Sequence, residues 1–249
     1  VGPINNAFED LRIYKFLDTV GTKSCRDKIE AFQRHLLKNR NDILPLLEAY
    51  SMGSGANFTY HSIEKAFEFA VMEYPFSFWQ YGWDCDKIPD SSVSNLEAMK
   101  YFTSVSDLTF FSDEDIITYG SHYYQSATEF GYYGYETAEF KGLLKALSTE
   151  KNPHATFLTK EMTNTAFRGA LLDGINKWLP EHGHRIVHIY GTLDTWSATS
   201  VPPSEKVDAL WFFMNGKHHG NANIKNMTPN EKQELTKTLE RWLSMDLKH

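Results

Sequence analysis

Apolar residues recur at helical spacing through residues 25–102, and this pattern predicts a block of helices. The apolar positions that share successive helix faces are Ile29, Phe32, Leu36 and Leu37, then Ile63, Ala66, Phe67, Ala70 and Val71, then Val93, Leu96, Met99 and Phe102. Pro45, residues 51–55 and residues 84–89 are rich in helix-breaking and turn-forming types, so we expect them to separate the helices.

The pattern changes after this block. Residues 121–130 contain His122, Tyr123 and Tyr124, and their aromatic content predicts a half-buried strand. Residues 165–179 show helical spacing again. Residues 185–191 and 207–214 are short, continuous apolar runs, which are typical of buried strands in a parallel sheet.

The end of the chain carries a complete helix-start signal. Thr228 is a capping residue, Pro229 stands at the first helical position and Glu231 completes a capping box. A strand, helix, strand, helix order with buried strands predicts an α/β fold with a parallel sheet, into which the helical block is inserted as a cap. Residues 1–6 resemble the end of a strand, so we expect the chain to be a fragment or a processed product.

Composition narrows the possible partners. The 249 residues include 25 Lys and Arg against 32 Asp and Glu, a net charge of −7, with no basic stripe, which argues against nucleic acid as a partner. No stretch reaches the roughly 18 consecutive apolar residues that a membrane-spanning helix needs. The two cysteines, Cys25 and Cys85, could form one disulfide or remain two buried thiols.

Candidate chemistry follows the last two predicted strands. Asp194 comes just after the first strand, His218 and His219 come just after the second, and the terminal helix follows. An acid and then a histidine on consecutive strand-end loops is the order of α/β-hydrolases, in which the nucleophilic serine precedes both. In that chemistry the carboxylate orients the imidazole, which removes the serine proton and later protonates the leaving group.

The nucleophile itself is missing from the pattern. No G-x-S-x-G turn occurs, Ser54 lies between helices, and Ser121 begins a predicted strand, so both are expected to be loop residues. We therefore expect a partial α/β-hydrolase whose serine lies upstream of Val1 and which is inactive alone. Its expected parts are a strand end and the approach to the cap at 1–20, a helical cap at 21–115 and the C-terminal part of the core at 116–249.

Several motifs carry a resemblance to a known family. Residues 190–197 resemble the N-G-x-x-D-P-W-S element of prolyl-specific serine carboxypeptidases and dipeptidyl peptidases, and residues 125–133 resemble their Q-x-C-T-E-F-G-F-Y segment, although Thr195 replaces a proline and Ala127 a cysteine. The bacterial secreted tripeptidyl aminopeptidases are more similar still. The motifs shared with them include residues 2–6, Asp10, Arg12, residues 21–22, 25–26 and 32–33, and residues 78–82.

The resemblance implies a secreted or periplasmic serine peptidase with an α/β-hydrolase fold and a helical cap, which removes short peptides, such as tripeptides, from peptide N-termini. It implies no cofactor. Asp194 and His219 would be its catalytic acid and base, because the residues after His219 fit the family pattern better than those after His218. The peptide substrate and the N-terminal portion of the same protein would be the partners.

Substrate binding requires further residues. A buried carboxylate is the usual partner for a peptide ammonium group, and Glu129 is the first candidate, with Glu73 the second. Trp79, within an aromatic cluster at residues 76–83, could contact a proline side chain. Ordinary core packing and structural hydrogen bonding would explain the same residues.

Two other functions remain open. A lipase or esterase of the same fold would show only apolar walls beside His219, whereas a non-catalytic relative would bind peptides through the cap. The histidine pairs at 182 and 184 and at 218 and 219 match no zinc-binding pattern, so no metal is expected.

Overall fold

In a computed structural model of the chain, residues 4–147 and 166–246 are described. They form a largely helical body with a two-stranded parallel sheet. The helices are α1 (Arg12–Leu17), α2 (Lys23–Lys38), α3 (Arg40–Ser54), α4 (Ile63–Tyr81), α5 (Asn95–Val105), α6 (Asp113–Thr118), α7 (Gly120–Gln125), α8 (Ala170–His182) and α9 (Pro229–Leu243), and the strands are β1 (Val187–Gly191) and β2 (Leu210–Met214). Short 3₁₀ turns connect several of these elements, among them Thr195–Thr199 after β1.

The helical block predicted at residues 25–102 is confirmed as α2 to α5. Pro45, however, lies inside α3, and the break between helices falls at Asn39 instead. A proline at this position removes only the hydrogen bond to the carbonyl of Asn41, an exposed residue near the helix start, where water can replace the missing donor. The break expected at residues 51–55 comes later, because α3 continues to Ser54 and is capped by the left-handed Gly55, whereas the break expected at residues 84–89 contains a 3₁₀ turn at Cys85–Lys87.

The strand predicted at residues 121–130 is wrong. The segment is helical, with α7 followed by a π-helical turn at Ser126–Phe130. Tyr123, Ser126 and Ala127 are its buried residues, and their spacing of three and four residues matches a helix face. Aromatic residues fit a helix face as readily as a strand when tertiary packing covers them, and here the ring of Tyr123 contacts that of Tyr132.

The chain start also differs from expectation. Residues 4–6 form no strand, and residues 1–3 lie outside the described residues. Instead, residues 5–10 are hydrogen-bonded to the segment that follows the π-helical turn. Asn5 donates its side-chain amide to the Gly131 carbonyl (3.0 Å), the Tyr132 N–H donates to Phe8 O (3.0 Å), and the Asp10 N–H donates to Tyr132 O (2.8 Å).

Both predicted C-terminal strands are confirmed, and each is shorter than its apolar run. They pair in parallel, in a register that runs from Val187 opposite Leu210 to Gly191 opposite Met214. The preceding helix, predicted from residue 165, begins at Ala170, and Thr165 lies outside the described residues. The α9 capping box is present as predicted, with both hydrogen bonds between Thr228 and Glu231 formed. The fold is thus a mixed α/β arrangement.

Helix α4 is the centre of the main hydrophobic core, and most of its side chains are buried. Pro75 leaves the carbonyl of Val71 without its helical donor, and the buried amide of Gln33 on α2 donates to that carbonyl at 2.7 Å. A smaller core lies between β2 and α9 and comprises Phe212, Met214, Ala222, Met227 and Leu235.

A disulfide joins Cys25, at the start of α2, to Cys85, just after α4, with the two Cα atoms 5.4 Å apart. The two cysteines are therefore bridged, which the sequence alone could not decide. The predicted boundaries of the cap and the core at 20/21 and 115/116 stay predictions.

Candidate active site

The two loops that follow β1 and β2 are both hydrogen-bonded to carbonyl groups in the last turns of α4. The hydroxyl of Thr195 donates to the carbonyl of Phe76 (3.0 Å), and the backbone N–H of His219 donates to the carbonyl of Gln80 (3.0 Å). These carbonyls lie four residues apart, which is about one helical turn. A single rigid helix therefore sets the positions of both loops.

Close backbone packing brings the two loops together. Gly191 ends β1, and a Cβ atom there would lie 2.3 Å from the carbonyl oxygen of Lys217. That same oxygen accepts the N–H of Leu193 at 2.9 Å. Only glycine permits this approach, so the glycine that ends the predicted strand is what lets the second loop come alongside Asp194.

Asp194 and His219 form a hydrogen bond between Oδ2 and Nδ1 of 3.0 Å. The Asp194 side chain is fully buried, and its Oδ1 accepts the backbone N–H of Trp196 at 3.1 Å. Burial raises the pKa of Asp194 above its ordinary value, and the hydrogen bond from His219 opposes that rise.

The histidine of this pair is open on its other side. The His219 side chain is 39% exposed, and its Nε2 makes no hydrogen bond to the described residues. An imidazole that donates Nδ1–H to a carboxylate presents Nε2 as an acceptor, so the pair can take a proton from a group placed there.

His218 has a different environment. Its ring packs against Gly82, the left-handed residue that ends α4, where a Cβ atom would lie 2.4 Å from the His218 Cδ2. Its Nδ1 accepts the N–H of Gly220 at 3.3 Å. The structure thus brings His219, of the two candidate histidines, to Asp194.

Glu73 lies on α4, one turn before Phe76, and is buried. Its Oε2 accepts hydrogen bonds from the hydroxyls of Tyr133 and Tyr135, both at 2.9 Å, and its Oε1 accepts one from Ser77 at 3.3 Å. Burial raises the pKa of Glu73 to about 7, although the three hydroxyls favour the ionised form and oppose the rise.

Glu73 lines a cavity of about 310 Å³, to be called the Glu73 cavity. Gln80 and Trp196 line the same cavity. Gln80 holds the backbone of His219, and Trp196 donates its backbone N–H to Asp194, so the cavity adjoins both loops of the candidate pair.

The other predicted substrate residues lie elsewhere. Glu129 is half-buried in the π-helical turn, not at a strand end, and its carboxylate makes no hydrogen bond within the described part of the chain. Trp79 lines a second cavity, and its ring packs against Gly21. The stacked rings of Phe76 and Tyr133, with centroids 4.1 Å apart, line both cavities and form their shared wall.

Sequence reasoning missed the residues that hold Glu73. Ser77 carried a weak signal, because it lies four residues after Glu73 and so shares its helix face. Tyr133 and Tyr135, two residues apart in a segment without regular secondary structure, both donate to Glu73, but nothing in the sequence ties them to α4.

Within residues 4–147 and 166–246, no group of three or more His, Cys, Asp or Glu side chains could hold a metal ion. None of the described helices has the length and apolar character needed to cross a bilayer.

Comparison with known proteins gives two matches. A sequence model described as PS-10 peptidase S37 matches residues 3–247. The chain is 27% identical over 243 residues to a prolyl tri/tetrapeptidyl aminopeptidase of Streptomyces mobaraensis. The aligned region covers 95% of this chain and 50% of that protein. The chain therefore spans about half the length of this relative. No solved structure matches the chain.

Proposed function

This chain belongs to the PS-10 peptidase S37 family, and we propose that it forms part of a serine exopeptidase that releases short peptides, tripeptides in the first place, from peptide N-termini. The relative from Streptomyces mobaraensis carries the name of such an activity. The observation on which the proposal rests is the Asp194–His219 hydrogen bond on two loops that follow consecutive parallel strands.

The proposed reaction begins at Nε2 of His219. That nitrogen takes the proton of a serine hydroxyl supplied from upstream of Val1 while the serine oxygen attacks the scissile carbonyl. Asp194 holds the ring orientation and stabilises the imidazolium. The proton then passes to the leaving amine, and water, activated in the same way, releases the acyl group.

We assign the substrate ammonium group to Glu73. This assignment is supported by the position of the Glu73 carboxylate, which is buried among hydroxyl donors and lines a cavity that adjoins the Asp194 and His219 loops. A carboxylate in such a cavity suits a peptide N-terminus better than a lipid ester, which favours the peptidase over the lipase alternative. Glu129, the first candidate from the sequence, becomes the second here, and the contact of Trp79 with a substrate proline stays a prediction.

Two wider features belong to the same proposal. The parallel pair β1 and β2, with α8 and α9, would be the C-terminal part of an α/β-hydrolase core, and the helices before them its cap. The protein would act outside the cytoplasm, in the periplasm or after secretion, and the Cys25–Cys85 disulfide supports an oxidising compartment.

The test compares a tripeptide 4-nitroanilide with proline at its third position with the N-acetylated form of the same compound. We expect the full-length protein, in which the upstream portion supplies the serine, to cleave the free-amine compound and to discriminate against the acetylated one, whereas this chain alone should be inactive. Glu73→Gln should raise KM for the free amine by about tenfold to a thousandfold and leave the acetylated compound little changed.

Two further variants complete the design. Glu64→Gln, the same change at an exposed position of α4, should behave as the unmodified protein. Glu129→Gln should keep the discrimination. Equal cleavage of the two compounds by the unmodified protein would refute the exopeptidase proposal, and loss of discrimination only in Glu129→Gln would transfer the ammonium site to Glu129.

A further inference from the structure

A second cavity, of about 320 Å³, lies against the α2-facing side of α4 and will be called the Trp79 cavity. Its apolar lining comes from α1, α2, α4 and the segment near residue 140, and includes Ile13, Ile29, Met72, Pro75, Trp79 and Phe140. It shares the Phe76–Tyr133 wall with the Glu73 cavity but, unlike that cavity, is not lined by Trp196 of the loop after β1. Apart from the predicted contact of Trp79 with a substrate proline, the proposed peptidase reaction gives this cavity no role.

The charged lining of the Trp79 cavity is predominantly acidic. Five carboxylates and two cations line it, namely Asp18, Asp27, Glu30, Glu136 and Glu139 with Lys23 and Arg26. Lys23 pairs with Asp27 at 2.7 Å, and Arg26 donates to the carbonyl of Val20 at 2.8 Å. Both cations therefore already have acceptors of their own.

Three of the carboxylates have no such partner. Glu30 pairs with Arg34 at 2.7 Å, whereas the carboxylates of Asp18, Glu136 and Glu139 make no hydrogen bond or ion pair to the described residues. They also lie close enough to repel one another, because the charges of Asp18 and Glu139 add to partial burial in raising the pKa of Glu136. A cation bound between them would relieve this repulsion.

A polar side chain also lines this cavity. Gln33 lines the Trp79 cavity and is only 4% exposed. Its amide nitrogen is occupied by the carbonyl of Val71, and its Oε1 accepts no hydrogen bond from the described residues. A ligand that brings an N–H group to this oxygen can replace water there and gains an interaction that the described residues do not supply.

We propose that the Trp79 cavity binds a primary ammonium group carried on an apolar body. The body packs against Trp79 and its apolar neighbours, and the ammonium lies among Gln33 and the unpaired carboxylates. The volume falls at the small end of the range for small-molecule sites. Aromatic faces add to the attraction for a cation. A free organic amine and the lysine side chain of a peptide both carry this chemistry.

Calorimetry on the purified protein tests the site with three probes. They are 2-phenylethylammonium as a free amine, Nα-acetyl-lysinamide as a peptide-borne lysine side chain, and 2-phenylethanol as the neutral analogue of the first. We expect at least one of the two cations to bind more tightly than the alcohol by about tenfold. Tighter binding of the lysine probe identifies a peptide segment as the ligand, and tighter binding of the free amine identifies a small molecule.

Variants place the binding in this cavity. The double variant Glu136→Gln and Glu139→Gln should weaken binding of the cationic probe several-fold to about tenfold and leave binding of the alcohol unchanged. The matched double variant Glu205→Gln and Glu234→Gln, at exposed positions outside the cavity, should bind as the unmodified protein does.

Glu73→Gln separates this proposal from the peptidase one. It should leave the cationic probes bound, even though it impairs the proposed peptide site. Three results would overturn the inference: equal affinity for the cations and the alcohol, no effect of the Glu136 and Glu139 changes, or loss of binding in Glu73→Gln alone.

Discussion

The hydroxyl of Tyr133 donates a 2.9 Å hydrogen bond to the carboxylate of Glu73, while the ring of Tyr133 stacks on Phe76 one turn further along α4. The tyrosine thus holds the acid and also forms the wall between the two cavities. Because water is largely excluded, the carboxyl group has a pKa of about 7 and changes its charge near neutral pH.

The raised pKa of Glu73 predicts a pH dependence of folding stability. Native Glu73 keeps its proton up to about pH 7, whereas unfolded Glu73 releases it near its ordinary pKa of 4.5. The free energy of unfolding should therefore fall as pH rises through this window, by about 3 kcal/mol in total from this group. Urea denaturation at pH 5 and pH 8 measures the change.

The comparison needs variants, because other groups titrate in the same window. Glu73→Gln should lose about that share of the pH dependence, and Glu64→Gln on the same helix should keep it. Parallel pH profiles for Glu73→Gln and the unmodified protein would show that the buried carboxyl is not held neutral.

A second buried carboxylate, Glu68, ties α4 to residues 145–147. It is fully buried, pairs with Arg40, and accepts the N–H groups of Lys145 (2.6 Å), Ala146 (2.9 Å) and Leu147 (2.8 Å). Glu68→Gln leaves Arg40 without its counter-charge and points an amide donor at backbone donors. We expect a loss of about 3 kcal/mol in the free energy of unfolding.

The control for Glu68 is again Glu64→Gln, which is exposed in the first turn of α4 and should cost less than about 1 kcal/mol. Chemical denaturation of both variants gives the comparison. Similar stabilities for the two would mean that the Glu68 network contributes little.

The Cys25–Cys85 disulfide closes a loop with a sequence separation of 60. Loop-closure entropy then predicts that replacing both cysteines by serine lowers the free energy of unfolding by about 4 kcal/mol. Thermal and urea unfolding under non-reducing conditions measure the loss, and the unmodified protein after reduction should show the same loss. A variant as stable as the oxidised protein would contradict the expectation.

Local signals predicted the elements whose own residues determine them. Thr228, Pro229 and Glu231 marked the start of α9, and two apolar runs marked β1 and β2. Residues 121–130 were misassigned because aromatic residues suit either a strand or a helix, and only contacts with distant residues such as Tyr132 decide between them.

The candidate site was predictable to the same degree. The chain order of Asp194 and His219 indicated their contact, since consecutive parallel strands end at the same sheet edge. The partners of Glu73 could not be predicted, because Tyr133 and Tyr135 lie 60 and 62 residues away and reach it only through packing. The same limit applies to Gln33 on α2. Its amide donates to the carbonyl of Val71 on α4, which lacks a helical donor because Pro75 has no N–H group.

Turnover of a tripeptide 4-nitroanilide by the full-length protein, which includes the upstream serine, tests the assignment of the proton-transfer pair most directly when His219→Ala is compared with His218→Ala. The variants remove neighbouring imidazoles, of which only that of His219 is hydrogen-bonded to Asp194. His219→Ala should lower kcat by about 10³-fold to 10⁶-fold with little change in Tm, whereas His218→Ala should change kcat by less than about tenfold. Near-normal turnover by folded His219→Ala, or the large loss in His218→Ala instead, would contradict the assignment.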